Sequence, residues 1–258
     1  MKPAVRTNID CHTDLAARYS QVCSAIGAAG KRFSRPNGSV TLVAVSKTRS
    51  ADEVRAVANL GQRDFGENQV QEAVDKIQVL ADMGLSWHFI GTIQSNKCRD
   101  IAANFDWVHS IDRLKIARRL SAMRPQSRGP LNLFLQVNLQ EEQTKSGVTA
   151  DHLEDLVNNV LALPQIRLCG LMAIPKPTTD FDTQRRVFRM LFDLQNHLRS
   201  NCLPLDCLSM GMTDDMDAAI AEGATHVRIG TAIFGPRQSC QMTAISATTR
   251  NHWHTAHD

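Results

Sequence analysis

The sequence predicts an α/β protein, a single (β/α)8 barrel of TIM type with an extra helix in front of it. Three observations predict this. Apolar runs of strand length alternate with stretches of helical period eight times along the chain, and such alternation implies βαβ units and a parallel sheet. The first run, at 40–46, does not alternate apolar with polar residues except at Thr41, which favours a strand covered on both faces. The length of 258 residues suits eight repeats closed into a ring better than an open doubly wound sheet.

The elements follow in order. A helix is expected over 10–28, where Leu15, Tyr19, Val22 and Ile26 fall on one face. "SRPNGS" (34–39) is a cluster of turn formers. The first strand is 40–46, polar within its run only at Thr41, and Lys47 stands where the run stops. A helix at 51–60 carries Val54, Val57 and Ala58, and a second strand at 63–65 runs into "GEN". A helix at 69–81 aligns Val70, Ala73, Val74, Ile77 and Ala81. The third strand is 86–91, followed by a helix at 95–104; the fourth is 107–111, with Asp112 as the expected N-cap of the next helix. After the break "RPQSRGP" come the fifth strand (131–139), a helix (150–162) and the sixth strand (166–174). "PKPTTD" leads into a long helix at 181–200; the seventh strand (207–211), a helix (214–222) and the eighth strand (226–230) complete the set. The barrel domain is therefore 1–235. Residues 236–258 are polar and aperiodic and are expected to form a poorly ordered tail.

Composition narrows the function classes. The net charge of +3 is small, and Lys and Arg are dispersed without a block of like charge, which gives no electrostatic case for a nucleic-acid or membrane partner. No apolar run approaches the roughly 18 residues of a membrane span, and "MKPAVRTNIDCHTD" lacks the apolar centre of a signal peptide. Seven scattered cysteines, an odd number with no C-x-x-C, read as reduced and mostly buried thiols of a cytoplasmic protein. His252, His254 and His257 lie close together near the end, but a solvated tail accounts for them more simply than a metal site.

In barrels of this kind the site lies at the C-terminal ends of the strands, and the loops after the last two strands often take a phosphate. The strand ends here do hold unusual residues: Lys47, then Glu67 and Asn68, His88 within the third strand, Met172 and Pro175 on the sixth, "SMGMT" on the seventh and "RIGT" on the eighth. Gly211 and Gly230 would let the backbone approach a ligand, and Ser209, Thr213 and Thr231 carry hydroxyl donors beside helix starts. Two such turns on adjacent strands favour one anion. Asp214 and Asp215 would repel it unless they point away. Lys47, expected across the mouth from the anion, then suits a phosphorylated aldehyde or ketone: pyridoxal phosphate and an aldol substrate both fit a lysine that forms Schiff bases. The plainer alternative is a solvated lysine, or one paired with Glu67. Arg228 lies inside the eighth strand, opposite in facing to Val227 and Ile229, and needs a partner there. That partner is a carboxylate such as Glu67 or an acceptor on a ligand.

The blocks "VAVSKT", "FGEN.VQE..DK", "WHFIG..QSNK", "KSG", "GLMAIP" and "S.GM..DM..AI..G...VRIGTAIFG" resemble the pyridoxal-phosphate homeostasis proteins, pyridoxal 5'-phosphate (PLP)-binding relatives of the N-terminal barrel of alanine racemase. The resemblance runs in order from about residue 10 to Gly235. It implies a single barrel of the alanine-racemase type, with PLP held on Lys47 as a Schiff base. It also implies that Ser209, Gly211, Met212, Thr213, Gly230 and Thr231 surround the phosphate, that Arg228 meets the pyridine nitrogen and that Asn68 lies near the cofactor. His88 and Met172 are candidate wall residues. Thr92 and Thr213 depart from the family pattern, where proline and serine are expected, and Thr213 keeps the hydroxyl. An arginine facing the ring nitrogen makes PLP a weak electron sink. A racemase of this type also uses a tyrosine from a second domain, whereas the only tyrosine here, Tyr19, falls on the opening helix. The expected function is therefore PLP holding in intracellular homeostasis, by a monomer that passes PLP to apo-enzymes, without catalytic turnover. The alternatives are an amino-acid racemase that borrows a base from His88 or a cysteine, and a Schiff-base aldolase.

Overall fold

Runs such as "TLVAV" combine β-branched residues with burial on both faces, and they form the staves of a closed parallel barrel. The computed structural model describes residues 8–140, 146–201 and 203–236. The strands are Thr41–Val45 (β1), Asp64–Glu67 (β2), Ser86–Phe89 (β3), Trp107–Ile111 (β4), Leu131–Gln136 (β5), Ile166–Met172 (β6), Cys207–Ser209 (β7) and His226–Ile229 (β8). Each pairs in parallel with the next, and β8 returns to β1 with Val43 opposite Arg228 and Ala44 opposite Ile229. Several strands stop short of the expected limits because their last residues bend into the loops that carry the mouth. Beyond β5, for example, Val137 leaves the strand to make an isolated bridge with Val148.

The helices form an outer ring: Asn8–Arg32 (α1), Ala51–Asn59 (α2), Val70–Val79 (α3), Cys98–Asn104 (α4), Leu114–Met123 (α5), Ala150–Leu161 (α6), Phe181–Ser200 (α7), Met216–Ala221 (α8) and Thr231–Phe234 (α9). Ser50 and Glu53 close a capping box on α2. Asp112 does not cap α5. Arg113 holds that position without a side-chain cap, and Asp112 pairs with the Arg113 guanidinium instead. The single turn α9 is too short to leave a periodic pattern in the sequence. One apolar core of Leu, Val, Ile, Phe and Ala side chains fills the layer between ring and barrel. No described helix is long and apolar enough to cross a membrane. The tail, with His252, His254 and His257, lies outside the described residues, as do Lys145 of "KSG" and the structures of Cys202 and Cys240. Cys98 is buried, Cys23 is exposed, and Cys169 and Cys207 are half-buried.

The inside of the barrel is unusually polar. His226 on β8 lies 5.3 Å, ring to ring, from Trp107 on β4, so strands on opposite sides of the ring meet through the lumen. His88 stacks on Trp107 at 5.5 Å, and His109 packs on Phe134 at 4.5 Å. Burial above all, with His88 and Arg228 acting in the same sense, lowers the His226 pKa from 6.5 to about 3. It also drives His109 well below its ordinary value. The unfolded chain thus takes up protons near pH 6.5 that the native barrel refuses until far lower pH. Stability is complete above that pH and falls as the pH drops through the window, by up to about 1.4 kcal/mol per pH unit for each such histidine. Urea unfolding should give a clearly lower midpoint at about pH 5 than at about pH 7, and His226→Gln should flatten that dependence. Equal slopes for the two proteins would contradict the assignment.

Candidate cofactor site at the barrel mouth

The amine at the end of β1 stands on a buried ionic foundation. Ser46 is fully buried and Lys47 partly so, and Thr48 turns away with a left-handed φ of 64°. Lys76, on the inner face of α3, donates to the Ser46 carbonyl (2.8 Å), to Glu67 Oε1 (2.8 Å) and to Glu72 Oε1 (2.6 Å). The Ser46 hydroxyl donates to the same Glu67 oxygen at 2.6 Å, and the Thr48 N–H donates to Glu72 at 2.6 Å. Both chain neighbours of Lys47 are therefore pinned by one cluster. Burial raises the Glu67 carboxyl above its ordinary range, against the pull of Lys76 and the hydrogen bonds from Lys76 and Ser46. Glu67 is thus committed to Lys76 and Ser46 and pairs with neither Lys47 nor Arg228.

Closure of the barrel sets what lies next to Lys47. Because β8 is hydrogen-bonded to β1, the "RIGT" turn stands beside the lysine rather than across the mouth from it. A Cβ at Gly230 would come within 3.2 Å of the Val45 carbonyl oxygen, so only a bare backbone fits closely there. Gly211 has φ +94°, and a Cβ on it would approach the Ala219 methyl to 2.6 Å. Asp215 folds under this turn and accepts the Met212 N–H at 2.5 Å, and burial raises its carboxyl above the usual value. Met212, Thr213 and Thr231 are exposed at the mouth. The Asn68 Oδ1 atom is shielded from solvent and has no hydrogen-bond partner among the described residues.

Two expected site residues sit deeper. The Ser209 side chain is fully buried and bonds to Arg228 and His109. Arg228 Nη1 donates to Ser209 Oγ at 2.7 Å and Nη2 to the Ala173 carbonyl at 3.0 Å. That uses two of its five N–H donors. Burial draws its pKa down to about 10, with Asp215 pulling the other way, so it keeps its charge at neutral pH. His88 is sunk in the lumen against His109 and Asp64, and Met172 is fully buried at the end of β6. Tyr19 lies outside the barrel on α1, where its hydroxyl meets Gln62 at 3.4 Å. Gln62 in turn donates to the backbone carbonyls of Leu42 and Asp64, at the start of their strands and away from the mouth. No described cluster of His, Cys, Asp or Glu could hold a metal ion.

Asp64, His109 and His226 gave no motif, and Lys76, the last residue of the block "FGEN.VQE..DK", was given no role by it. Asp64, His88, His109, His226 and Arg228 are, however, all polar residues on the inner face of otherwise apolar strands. That placement is the cue by which they could be found.

The first level of relationship is the barrel class: a family model described as alanine racemase, N-terminal domain, matches residues 29–238. A pyridoxal phosphate homeostasis protein of Pseudomonas aeruginosa is 52% identical over 223 residues, covering 86% of this chain and 96% of that protein. One of Escherichia coli is 49% identical over 227 residues, covering 87% and 97%. The structure of PipY from Synechococcus elongatus with PLP bound superposes with a TM-score of 0.76 at 35% identity, over 86% of this chain and all of that one. The chain belongs to the pyridoxal phosphate homeostasis protein family.

The foundation under Lys47 makes a direct prediction. Lys76→Met strands the buried Glu67 carboxylate and should cost about 3–5 kcal/mol in urea unfolding. Adding Glu67→Gln to it should recover a large part of that loss. A Lys76→Met protein as stable as the parent would show that the cluster carries no such energy.

Proposed function

We propose that this protein holds PLP at the barrel mouth through Lys47 and serves to keep a reactive aldehyde bound and available, without turning over a substrate. PLP supplies an aldehyde that condenses with an amine and a phosphate that anchors it. The observation that carries the reading is the placement of Lys47. Its chain neighbours on both sides are pinned by the Lys76 cluster, and it follows the strand paired with the one that leads into the Gly230 turn. The remaining groups fit. Gly211 and Gly230 let the two turns pack closely on Ala219 and Val45, and the exposed Thr213 and Thr231 of the same turns offer hydroxyls to an anion. Arg228 has unspent donors for a ring-nitrogen acceptor, and Asn68 Oδ1 is an acceptor in want of a donor. The family membership and the PLP-bound PipY structure support the same reading.

Tyr19 is held outside the barrel, which speaks against its serving as the second base a racemase needs. Delivery of PLP to apo-enzymes, a monomeric state and a cytoplasmic location belong to the same proposal.

Titration with PLP, followed by absorbance, tests the first part. The protein should develop the visible band of a protein-bound imine, Lys47→Ala should not, and Arg228→Ala should bind on the order of 10- to 100-fold more weakly. Unchanged affinity in Arg228→Ala would remove the ring-nitrogen assignment. For the second part, the loaded protein is incubated with single-enantiomer amino acids in deuterated water. Negligible α-proton exchange is expected, and rapid exchange would make the protein a racemase-like enzyme instead.

A further inference from the structure

A continuous line of polar side chains joins Arg228 to the far face of the barrel. Arg228 Nη1 meets Ser209 Oγ at 2.7 Å, and Ser209 Oγ meets His109 Nδ1 at 2.7 Å. His109 Nε2 meets His88 Nδ1 at 2.9 Å, and His88 Nε2 meets Asp64 Oδ1 at 3.0 Å. The four bonds cross the lumen through β8, β7, β4, β3 and β2. Arg228 is 4% exposed and Ser209, His109 and His88 are 0% exposed, so the three links among these four residues are shielded from bulk solvent. The Asp64 side chain is 29% exposed, at the start of its strand and away from the mouth.

With both imidazoles neutral, the two ends fix the direction of every proton between them. A guanidinium only donates and a carboxylate only accepts. His88 therefore gives its Nε2–H to Asp64. The Nδ1 of a neutral His88 is then bare and can only accept, so His109 must donate its Nε2–H. The Nδ1 of a neutral His109 is bare in turn, so the Ser209 hydroxyl must donate to it. The lone pairs of Ser209 are left facing Arg228. All four bonds point from Arg228 towards Asp64, the arrangement in which each polarises the next.

We infer that Asp64, His88 and His109 form a one-way hydrogen-bond relay that positions Ser209 and Arg228 and consumes the Ser209 proton inside the barrel. Ser209 then has no proton to give an anion at the mouth, and phosphate recognition falls to the backbone turns, Thr213 and Thr231. Asp64 becomes a positioning residue for an arginine at the other end of the lumen. The link from Arg228 to a cofactor ring rests on the PLP reading above; the relay itself belongs to the free chain. The opposite polarity requires a second proton on His88, whose surroundings are Asp64, Ser86, His109, Trp107 and His226. His88 would then donate to His109 Nε2 and His109 Nδ1–H to Ser209, which frees the Ser209 proton. The two polarities put opposite tautomers on His109.

Nitrogen-15 spectra of the imidazoles in the full chain without PLP, near neutral pH, decide between them. The relay predicts a bare Nδ1 and a protonated Nε2 on both His88 and His109. A protonated Nδ1 on either ring overturns it. Asp64→Ala should scramble both tautomers and weaken PLP binding about three- to tenfold, while borohydride still fixes PLP to the protein. Asp64→Asn, whose Oδ1 still accepts, should restore both readouts. Tautomers unchanged in Asp64→Ala, or an Asp64→Asn protein that behaves like Asp64→Ala, would refute the positioning role. Correct tautomers in a chain that does not take up PLP would instead sink the PLP reading and leave the relay standing.

Discussion

A guanidinium enclosed in a barrel must be met by acceptors, and the interior of this protein is organised around meeting Arg228. Its charge is retained despite burial, because even a pKa of about 10 leaves it protonated at neutral pH. An unmatched charge there would cost several kcal/mol. The Ala173 carbonyl and Ser209 hydroxyl answer it directly, and Ser209 is itself answered by His109. Burial keeps His109, next in the line, neutral, and His88 beyond it is hydrogen-bonded to Asp64. Desolvation pushes the Asp64 carboxyl up, but the His88 hydrogen bond and charge attraction, with the Ser86 hydrogen bond and His226, outweigh it and leave the carboxyl below its ordinary range. A lumen filled by aliphatic side chains would be simpler to pack. This one gives up that simplicity to hold one cation at a fixed depth below the mouth.

The second fixed point is the backbone around Lys47. Lys76, Glu67 and Glu72 tie β1 to α3, and Arg49 reaches the Gly235 carbonyl at 2.6 Å, tying the loop after β1 to the chain beyond α9. The backbone at Lys47 is thereby held beside the last turn of the barrel by contacts on both sides. Ring closure makes this possible, because the first and last strands of the sequence are neighbours in the sheet. The same closure explains why Lys47 stands beside the glycine turn rather than facing it.

Much of this was legible in the sequence, and the remainder was hidden for physical reasons. Eight alternations of strand and helix, the Lys47 strand end and the two glycine turns were readable, because backbone period and glycine placement are local properties. Ser209 was readable as a hydroxyl near a glycine turn but not as a lumen residue, because facing depends on where β7 ends. Lys76 looks like any solvated helix lysine between Asp75 and Ile77; its burial is set by Glu67 at the end of the preceding strand and by the Ser46 carbonyl beyond the end of β1. Asp112 has the chemistry of an N-cap, but the neighbouring arginine engages it first. The relay from Asp64 to Arg228 is assembled from five strands, and no sequence spacing encodes it.

The central claim is that Lys47 is the amine that holds PLP. Borohydride reduction of the PLP-loaded full chain, followed by peptide mass mapping, tests it most directly. The account predicts one stoichiometric label, on the peptide that contains Lys47. A label on another lysine, or none after loading, would contradict it.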